Sequence, residues 1–167
     1  NPVRITSIEN YEKRIPAARE NFEAFGRSGQ ISLLAGDACR ILPTLEGPYD
    51  MIFLDAAKGQ YPFFYPVLKG LLTDGGMLVC DNVLQHGDIL ESRYAVERRN
   101  RTVHKRMRGF LYDCMHDEEM TSCILPIADG VHAILHHRAE RLVEPGLRHV
   151  MLVLADADAL WVDLDEL

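Results

Sequence analysis

The sequence predicts an α/β chain built on a mostly parallel sheet. Three observations lead there: short apolar runs alternate with amphipathic helical segments, Gly or Pro breakers mark many of the junctions, and a single Asp-Gly hairpin signal follows late in the chain.

Val3 to Ile8 alternates apolar and polar residues as a strand does and ends at Glu9. Tyr11, Ile15, Ala18, Phe22 and Phe25 then recur at helical spacing until Gly26, with Pro16 demanding either a kink or a late helix start. Ile31 to Ala35 is a short strand closed by Gly36-Asp37. A helix over Ala38 to Leu45 follows, broken by Gly47-Pro48. Tyr49 to Leu54 is a buried strand ending at Asp55. Tyr61 to Leu72 is a helix, Asp74-Gly75-Gly76 a turn, and Met77 to Cys80 a second buried strand ending at Asp81-Asn82. A long charged helix is predicted from about Ile89 to His116. Strands Thr121 to Ile127 and Val131 to His136, joined by Ala128-Asp129-Gly130, form an antiparallel pair. After a polar stretch and Pro145-Gly146, Val150 to Leu154 reads as one more strand before an acidic end.

Composition narrows the function classes. The 167 residues carry a net charge of −7, which excludes a chain coated in basic charge for wrapping duplex nucleic acid. The longest apolar run, Val150 to Ala155, is strand-sized, far short of the roughly 20 residues of a membrane helix. No basic start precedes an apolar stretch, so no secretory signal is predicted and a cytoplasmic protein is expected. Cys39, Cys80, Cys114 and Cys123 are too widely spaced for a zinc finger and are read as reduced structural thiols. The chain opens at Asn1 inside a pattern, which suggests a trimmed or partial version of something longer.

Ligands of open parallel sheets bind beyond the carboxyl ends of the strands. Those positions here are Glu9, Asp37, Asp55 and Asp81-Asn82, an acid at every parallel strand end. Singly, each is an ordinary turn residue. Together, Asp55, Asp81 and Asn82 offer three hard oxygen donors from two strand ends, a set suited to Mg²⁺, Mn²⁺ or Ca²⁺. Lys58, three residues beyond Asp55, would lie beside such a cation, and a neighbouring positive charge favours the neutral amine that can take a proton.

These residues carry a resemblance. Asp55-Ala56-Ala57-Lys58, Tyr61, Tyr65, Leu71-Leu72, Gly75-Gly76 and Asp81-Asn82-Val83-Leu84 with Gly87 resemble the cation-dependent class I O-methyltransferases, the catechol and caffeoyl-CoA family with its bacterial relatives. The likeness runs from about Ile5 to Ile134, through Ile8-Glu9 upstream and Pro126 with Asp129-Gly130 downstream. It implies a Rossmann-like sheet with a C-terminal antiparallel hairpin and S-adenosylmethionine as methyl donor. By the same resemblance Glu9 holds the ribose hydroxyls, Gly36-Asp37-Ala38 meet the adenine, and Asp55 lies near the methionine moiety. Asp55, Asp81 and Asn82 are then the metal ligands and Lys58 the catalytic base, removing a proton from an acceptor whose two vicinal oxygens the cation aligns.

The chain departs from the family at its start. The family's first strand, its glycine-rich loop and its N-terminal helices have no counterpart, and no Gly-x-Gly occurs anywhere. That strand is normally central, between those predicted at 3–8 and 49–54. Two readings stand open: a fragment or decayed chain with damaged cofactor affinity, or a chain whose extra strand Val150 to Leu154 fills the vacant slot. On this basis residues 1–137 form a partial methyltransferase domain and 138–167 a C-terminal extension that supplies an added strand.

Between Arg93 and Arg108 seven basic residues (Arg93, Arg98, Arg99, Arg101, Lys105, Arg106, Arg108) face Glu97 alone. They read either as a solvated helix face or as a phosphate-contacting surface. The bacterial branch that the chain most resembles methylates 5-hydroxyuridine in the tRNA anticodon loop, and that acceptor is expected first, with small catechols second. A non-catalytic or RNA-binding remnant is the reading from another class. The resemblance also implies a homodimer. His86, near Asn82, is a candidate for lining the substrate entrance.

Overall fold

The computed structural model describes residues 3–136 and 148–154. Seven strands form one sheet: β1 (Arg4–Glu9), β2 (Ile31–Ala35), β3 (Tyr49–Asp55), β4 (Leu72–Cys80), β5 (Met120–Leu125), β6 (Val131–His136) and β7 (His149–Leu154). Their order is β2-β1-β7-β3-β4-β6-β5, parallel from β2 to β4 and antiparallel at β6 and β5. The expected α/β sheet with a terminal antiparallel hairpin is therefore present.

Of the two readings left open, the strand near the end of the chain takes the central slot. β7 pairs with β1 on one side and β3 on the other. Its entry is anchored by the Asp50 carboxylate, which accepts the backbone N–H groups of Arg148 and His149, each at 2.7 Å. Val150, Met151 and Val153 are buried, as a strand covered on both faces requires. Of the expected extension, residues 138–147 and 155–167, with Trp161 and the acidic end, lie outside the described residues.

The helices are α1 (Arg14–Ala24), α2 (Ala38–Ile41), α3 (Tyr61–Leu71) and α4 (Arg101–Met115). Pro16 is accommodated by the late start: at the third residue of α1 its missing N–H has no intrahelical partner to lose. The helix predicted over 38–45 is α2 followed by a 3-10 turn, Leu42–Thr44, which carries Pro43. The turn expected at 74–76 lies inside β4. Tyr49 pairs with Leu72 and Met51 with Met77, so residues 73–76 bulge out of the ladder, with Gly75 at φ +79°.

The long helix expected from Ile89 to His116 is corrected more deeply. A 3-10 segment covers Gln85–Leu90, another turn covers Arg98–Asn100, and the α-helix begins only at Arg101. Between Glu91 and Asn100 only Val96 is buried, so no apolar stripe holds a helix there. Side chains of α4 take up the loop's carbonyls instead. Arg101 donates to Val96 and Tyr94, Arg108 to Ile89 and Glu91.

The core lies on one sheet face, where Ile52, Leu54, Leu78, Ile134 and Met151 pack with Tyr61, Phe64 and Leu68 of α3 and Met107 and Phe110 of α4. The β1-to-β2 and β3-to-β4 crossovers run in opposite directions along the sheet. Right-handed connections therefore place α1 and α3 on opposite faces. His132 of β6 is fully buried, edge-on to Phe110 at 6.0 Å, with neither ring nitrogen hydrogen-bonded; burial holds its pKa down at about 4. All four cysteines are free thiols, and burial pushes those of Cys80 and Cys114 up, which keeps them protonated.

Candidate active site

Register brings the acidic strand ends to one level. Glu9 pairs with Ala35, Ile8 with Val153, Asp55 with Leu154, and Leu54 with Cys80. Glu9 and Asp55 thus flank Leu154, with backbones about 10 Å apart, and Asp81 follows beside Asp55 at about 5 Å, one strand spacing. The amide N–H of Asp81 donates to the Leu54 carbonyl at 3.1 Å, which ties the two chain exits together.

Asp55 is buried, and its Oδ1 accepts from Lys58 Nζ at 2.9 Å. That pair depends on the 3-10 turn Lys58–Gln60, which folds the lysine back over the strand end. Lys58 Nζ also donates to Tyr61 Oη at 2.9 Å. The Tyr61 hydroxyl donates to the Leu54 carbonyl at 2.8 Å, with the Asp81 carbonyl at 3.3 Å, and receives the Ala56 N–H at 3.4 Å. Burial, with Cys80, Asp55 and Asp81 nearby, holds this phenol well above its ordinary pKa, so it remains a neutral hydroxyl. Tyr61 is thus a junction of the site. Sequence reasoning placed it only on a helix and within a motif; its spacing of three from Lys58 was the available signal.

Asp81 Oδ1 accepts the backbone N–H of Asn82 at 2.7 Å, and Asn82 adopts a left-handed conformation, φ +50°, which Asn tolerates. The loop beyond is clamped by the β5–β6 hairpin. Val83 N–H donates to Gly130 O at 3.0 Å, Leu84 N–H to Asp129 O at 2.9 Å, and His86 N–H to the Asp129 carboxylate. The His86 ring itself is almost fully exposed. Asp129 is a second residue whose role sequence alone did not assign: it holds the loop that follows Asn82.

Glu9 is 2% exposed at the end of β1. Its Oε1 accepts the Tyr11 N–H at 2.7 Å, whereas Oε2 is buried without a hydrogen-bond donor, 3.6 Å from Arg14 Nη1. A buried carboxylate oxygen left in this state costs about 1–3 kcal/mol unless a donor reaches it, so the position fits a ligand hydroxyl. Beside it, Gly36 N–H donates to the Glu9 carbonyl at 2.9 Å, and Asp37 caps α2 by accepting from Cys39 N–H at 2.9 Å, with Ala38 buried behind.

Among the described residues, no three His, Cys, Asp or Glu side chains converge as a metal cage. The expected donor set has a different composition: two carboxylates, Asp55 and Asp81, and one amide, Asn82. That set fits a hard divalent cation completed by water or acceptor oxygens. A cleft of about 370 Å³, lined by Arg4, Gln30, Glu46, Tyr49 and His149 among others, opens at the opposite, amino-terminal edge and is separate from this constellation. Of the seven basic residues, Arg101 and Arg108 are engaged by loop carbonyls, and Arg106 binds the Gly59 carbonyl and stacks over Phe63. No helix is long and apolar enough to cross a membrane among the described residues.

Comparison with known proteins bears on the family and the fold. Residues 2–137 match the family model described as O-methyltransferase. A catechol O-methyltransferase of Niastella koreensis is 34% identical over 92 residues, covering 53% of this chain and 42% of the relative. A caffeoyl-CoA O-methyltransferase of Citrus natsudaidai is 29% identical over 133 residues, 74% of this chain and 54% of its own length. The SAH-bound methyltransferase PaMTH1 of Podospora anserina superposes with a TM-score of 0.70 at 30% identity, covering 81% of this chain and 61% of that one. The chain spans about half the length of these curated relatives. With the matched segment covering most of the sequence, and with the Rossmann-like sheet shared with solved methyltransferases, the chain belongs to the O-methyltransferase family.

Proposed function

We propose that this chain carries the cation- and acceptor-facing part of an S-adenosylmethionine-dependent O-methyltransferase whose acceptor presents two vicinal oxygens, of the catechol class. The observation that carries this reading is the Lys58 amine, 2.9 Å from Asp55 at the strand edge that also bears Asp81-Asn82. When bound, S-adenosylmethionine would supply a sulfonium methyl and a divalent cation would polarise and align the acceptor oxygens. Asp55, Asp81 and Asn82 would hold the cation, and the orphan oxygen of Glu9 would accept a ribose hydroxyl. Gly36, Asp37 and Ala38 would border the adenine. As the neutral amine, Lys58 would take the acceptor's proton, with the Tyr61 hydroxyl, 2.9 Å away, keeping it in place.

The 5-hydroxyuridine acceptor has less behind it, because three of the seven basic side chains that suggested a phosphate surface serve the chain's own carbonyls. The test is methyl transfer to catechol, to caffeate and to hydroxylated tRNA, with Mg²⁺ or with chelator, alongside calorimetric binding of S-adenosylmethionine. Catechol methylation that requires Mg²⁺ and falls at least a hundredfold in Lys58→Met, with cofactor binding retained, is expected. Transfer unaffected by Lys58→Met refutes the assigned base. Transfer to tRNA alone replaces the acceptor, and absence of any cofactor binding refutes catalysis by this chain.

A further inference from the structure

The loop that leaves β4 with Asp81 and Asn82 does not hold its own shape. Asn82, Gln85 and His86 are all left-handed, at φ +50°, +49° and +54°, a conformation that residues other than glycine keep only where their surroundings impose it. The loop's internal bonds, from the N–H groups of Gly87 and Ile89 to the Leu84 carbonyl at 3.0 and 3.4 Å, lie beyond residue 82. The constraint comes from the β5–β6 hairpin, 43 residues on in the chain at the His86–Asp129 bond. Two hairpin residues accept the loop's amides: Gly130 O takes Val83 N–H at 3.0 Å, Asp129 O takes Leu84 N–H at 2.9 Å, and the Asp129 carboxylate takes His86 N–H. With residue 82 left-handed, its own N–H reaches Asp81 Oδ1 at 2.7 Å, so one backbone conformation sets the Asp81 carboxylate and the Asn82 amide together. Among the described residues no hydrogen bond holds the Asn82 side chain, and its direction is left to the backbone.

We propose that Asp129 is a positioning residue for the cation donors: by holding the Leu84 and His86 amides it keeps residue 82 in the one conformation that presents Asp81 and Asn82 together. This rests on the reading of Asp55, Asp81 and Asn82 as the donors of a divalent cation. Asp129 is the residue that clamps the loop through both backbone and side chain, and its side chain is only 17% exposed. What the clamp needs from that side chain is an acceptor oxygen at fixed reach, not a charge. Asparagine carries such an oxygen at the same reach without the charge and suits the turn equally well. Glutamate keeps the charge and moves the oxygens one methylene further out. The two substitutions therefore separate positioning from the electrostatic field. Partners that orient a metal ligand change metal affinity by about 10–100-fold. Asp129 acts on Asn82 through the loop backbone, which puts its effect at the low end, about tenfold.

The test is Mn²⁺ binding to the full chain, followed by loss of the free ion's electron paramagnetic resonance signal and counted at the site that Asn82→Ala removes. Asp129→Ala and Asp129→Glu should each weaken that site about tenfold, and Asp129→Asn by less than about threefold. Hydrogen exchange at Val83 and Leu84, measured without metal, should quicken in the first two variants and not in the third. If Asp129→Ala does not fold, the Asn and Glu variants carry the comparison. Affinity that follows the charge, kept in Asp129→Glu and lost in Asp129→Asn, overturns the inference. So does an affinity equal in every variant. In both of those results the unmodified chain binds Mn²⁺ and the cation reading stands. An unmodified chain that binds no Mn²⁺ at this site overturns the cation reading and the inference with it.

Discussion

Replacing Tyr61 by Phe removes one oxygen and keeps the ring, with its edge-on contact to Phe110 at 5.4 Å. That oxygen receives Lys58 Nζ and donates to the Leu54 carbonyl in a fully buried setting. The bond from Lys58 is charge-assisted but partly exposed, and the Leu54 carbonyl keeps a second donor, the Asp81 N–H. The net loss is therefore about 2–3 kcal/mol, from one buried neutral bond and one discounted ionic bond. For a domain of this size that corresponds to a fall in Tm of roughly 5–10 °C. Urea denaturation measures it directly, with an unchanged m-value showing that the unfolded state is not the cause. A loss below about 0.5 kcal/mol, the scale of an ordinary surface change, would refute the view that Tyr61 joins the two strand ends. Under the proposed activity the same variant also slows transfer, because Lys58 is left with Asp55 alone.

Other perturbations test separate parts of the molecule. His132 stays neutral when folded down to about pH 4 and takes a proton near 6.5 when unfolded, so the unfolded state binds more protons between those values. Stability should be full above pH 6.5 and fall by about 3 kcal/mol as pH drops toward 4, and His132→Leu should remove that part of the slope in urea melts across the range. Gly130→Ala should cost about 2 kcal/mol, since the new Cβ would lie 2.3 Å from Leu84 Cγ at a φ of +84°. Hydrogen exchange should then show faster opening at Val83 and Leu84. Asp50→Ala should cost about 1–3 kcal/mol by removing the acceptor of two N–H groups at the entry of β7, with amide protection lost first in residues 149–154.

Much of the fold was legible in the chain because its signals are local. The 2.0 and 3.6 periodicities located β1 through β3 and α3, and Asp129-Gly130 announced the hairpin. Lys58 could be linked to Asp55 because a spacing of three closes on a short turn. The helix break between Glu91 and Asn100 was not legible. A run of charged residues has acceptable helix propensity, and only the carbonyl bonds from Arg101 and Arg108 show that α4 dresses a loop instead of extending through it.

The sequence by itself determined which residues are apolar enough for strands and which acids terminate them. It did not determine where the strand near the end of the chain goes: His149–Leu154 has the same pattern at an edge, in the middle or unpaired. Only the tertiary structure, through the parallel ladders to β1 and β3, put it in the centre and thereby set Glu9 and Asp55 two strand spacings apart. Such pairing depends on contacts about a hundred residues distant, and local periodicity carries no information about the partner. The buried, donorless oxygen of Glu9 and the junction at Tyr61 follow from the same cause, since both are properties of groups that meet only when the sheet closes.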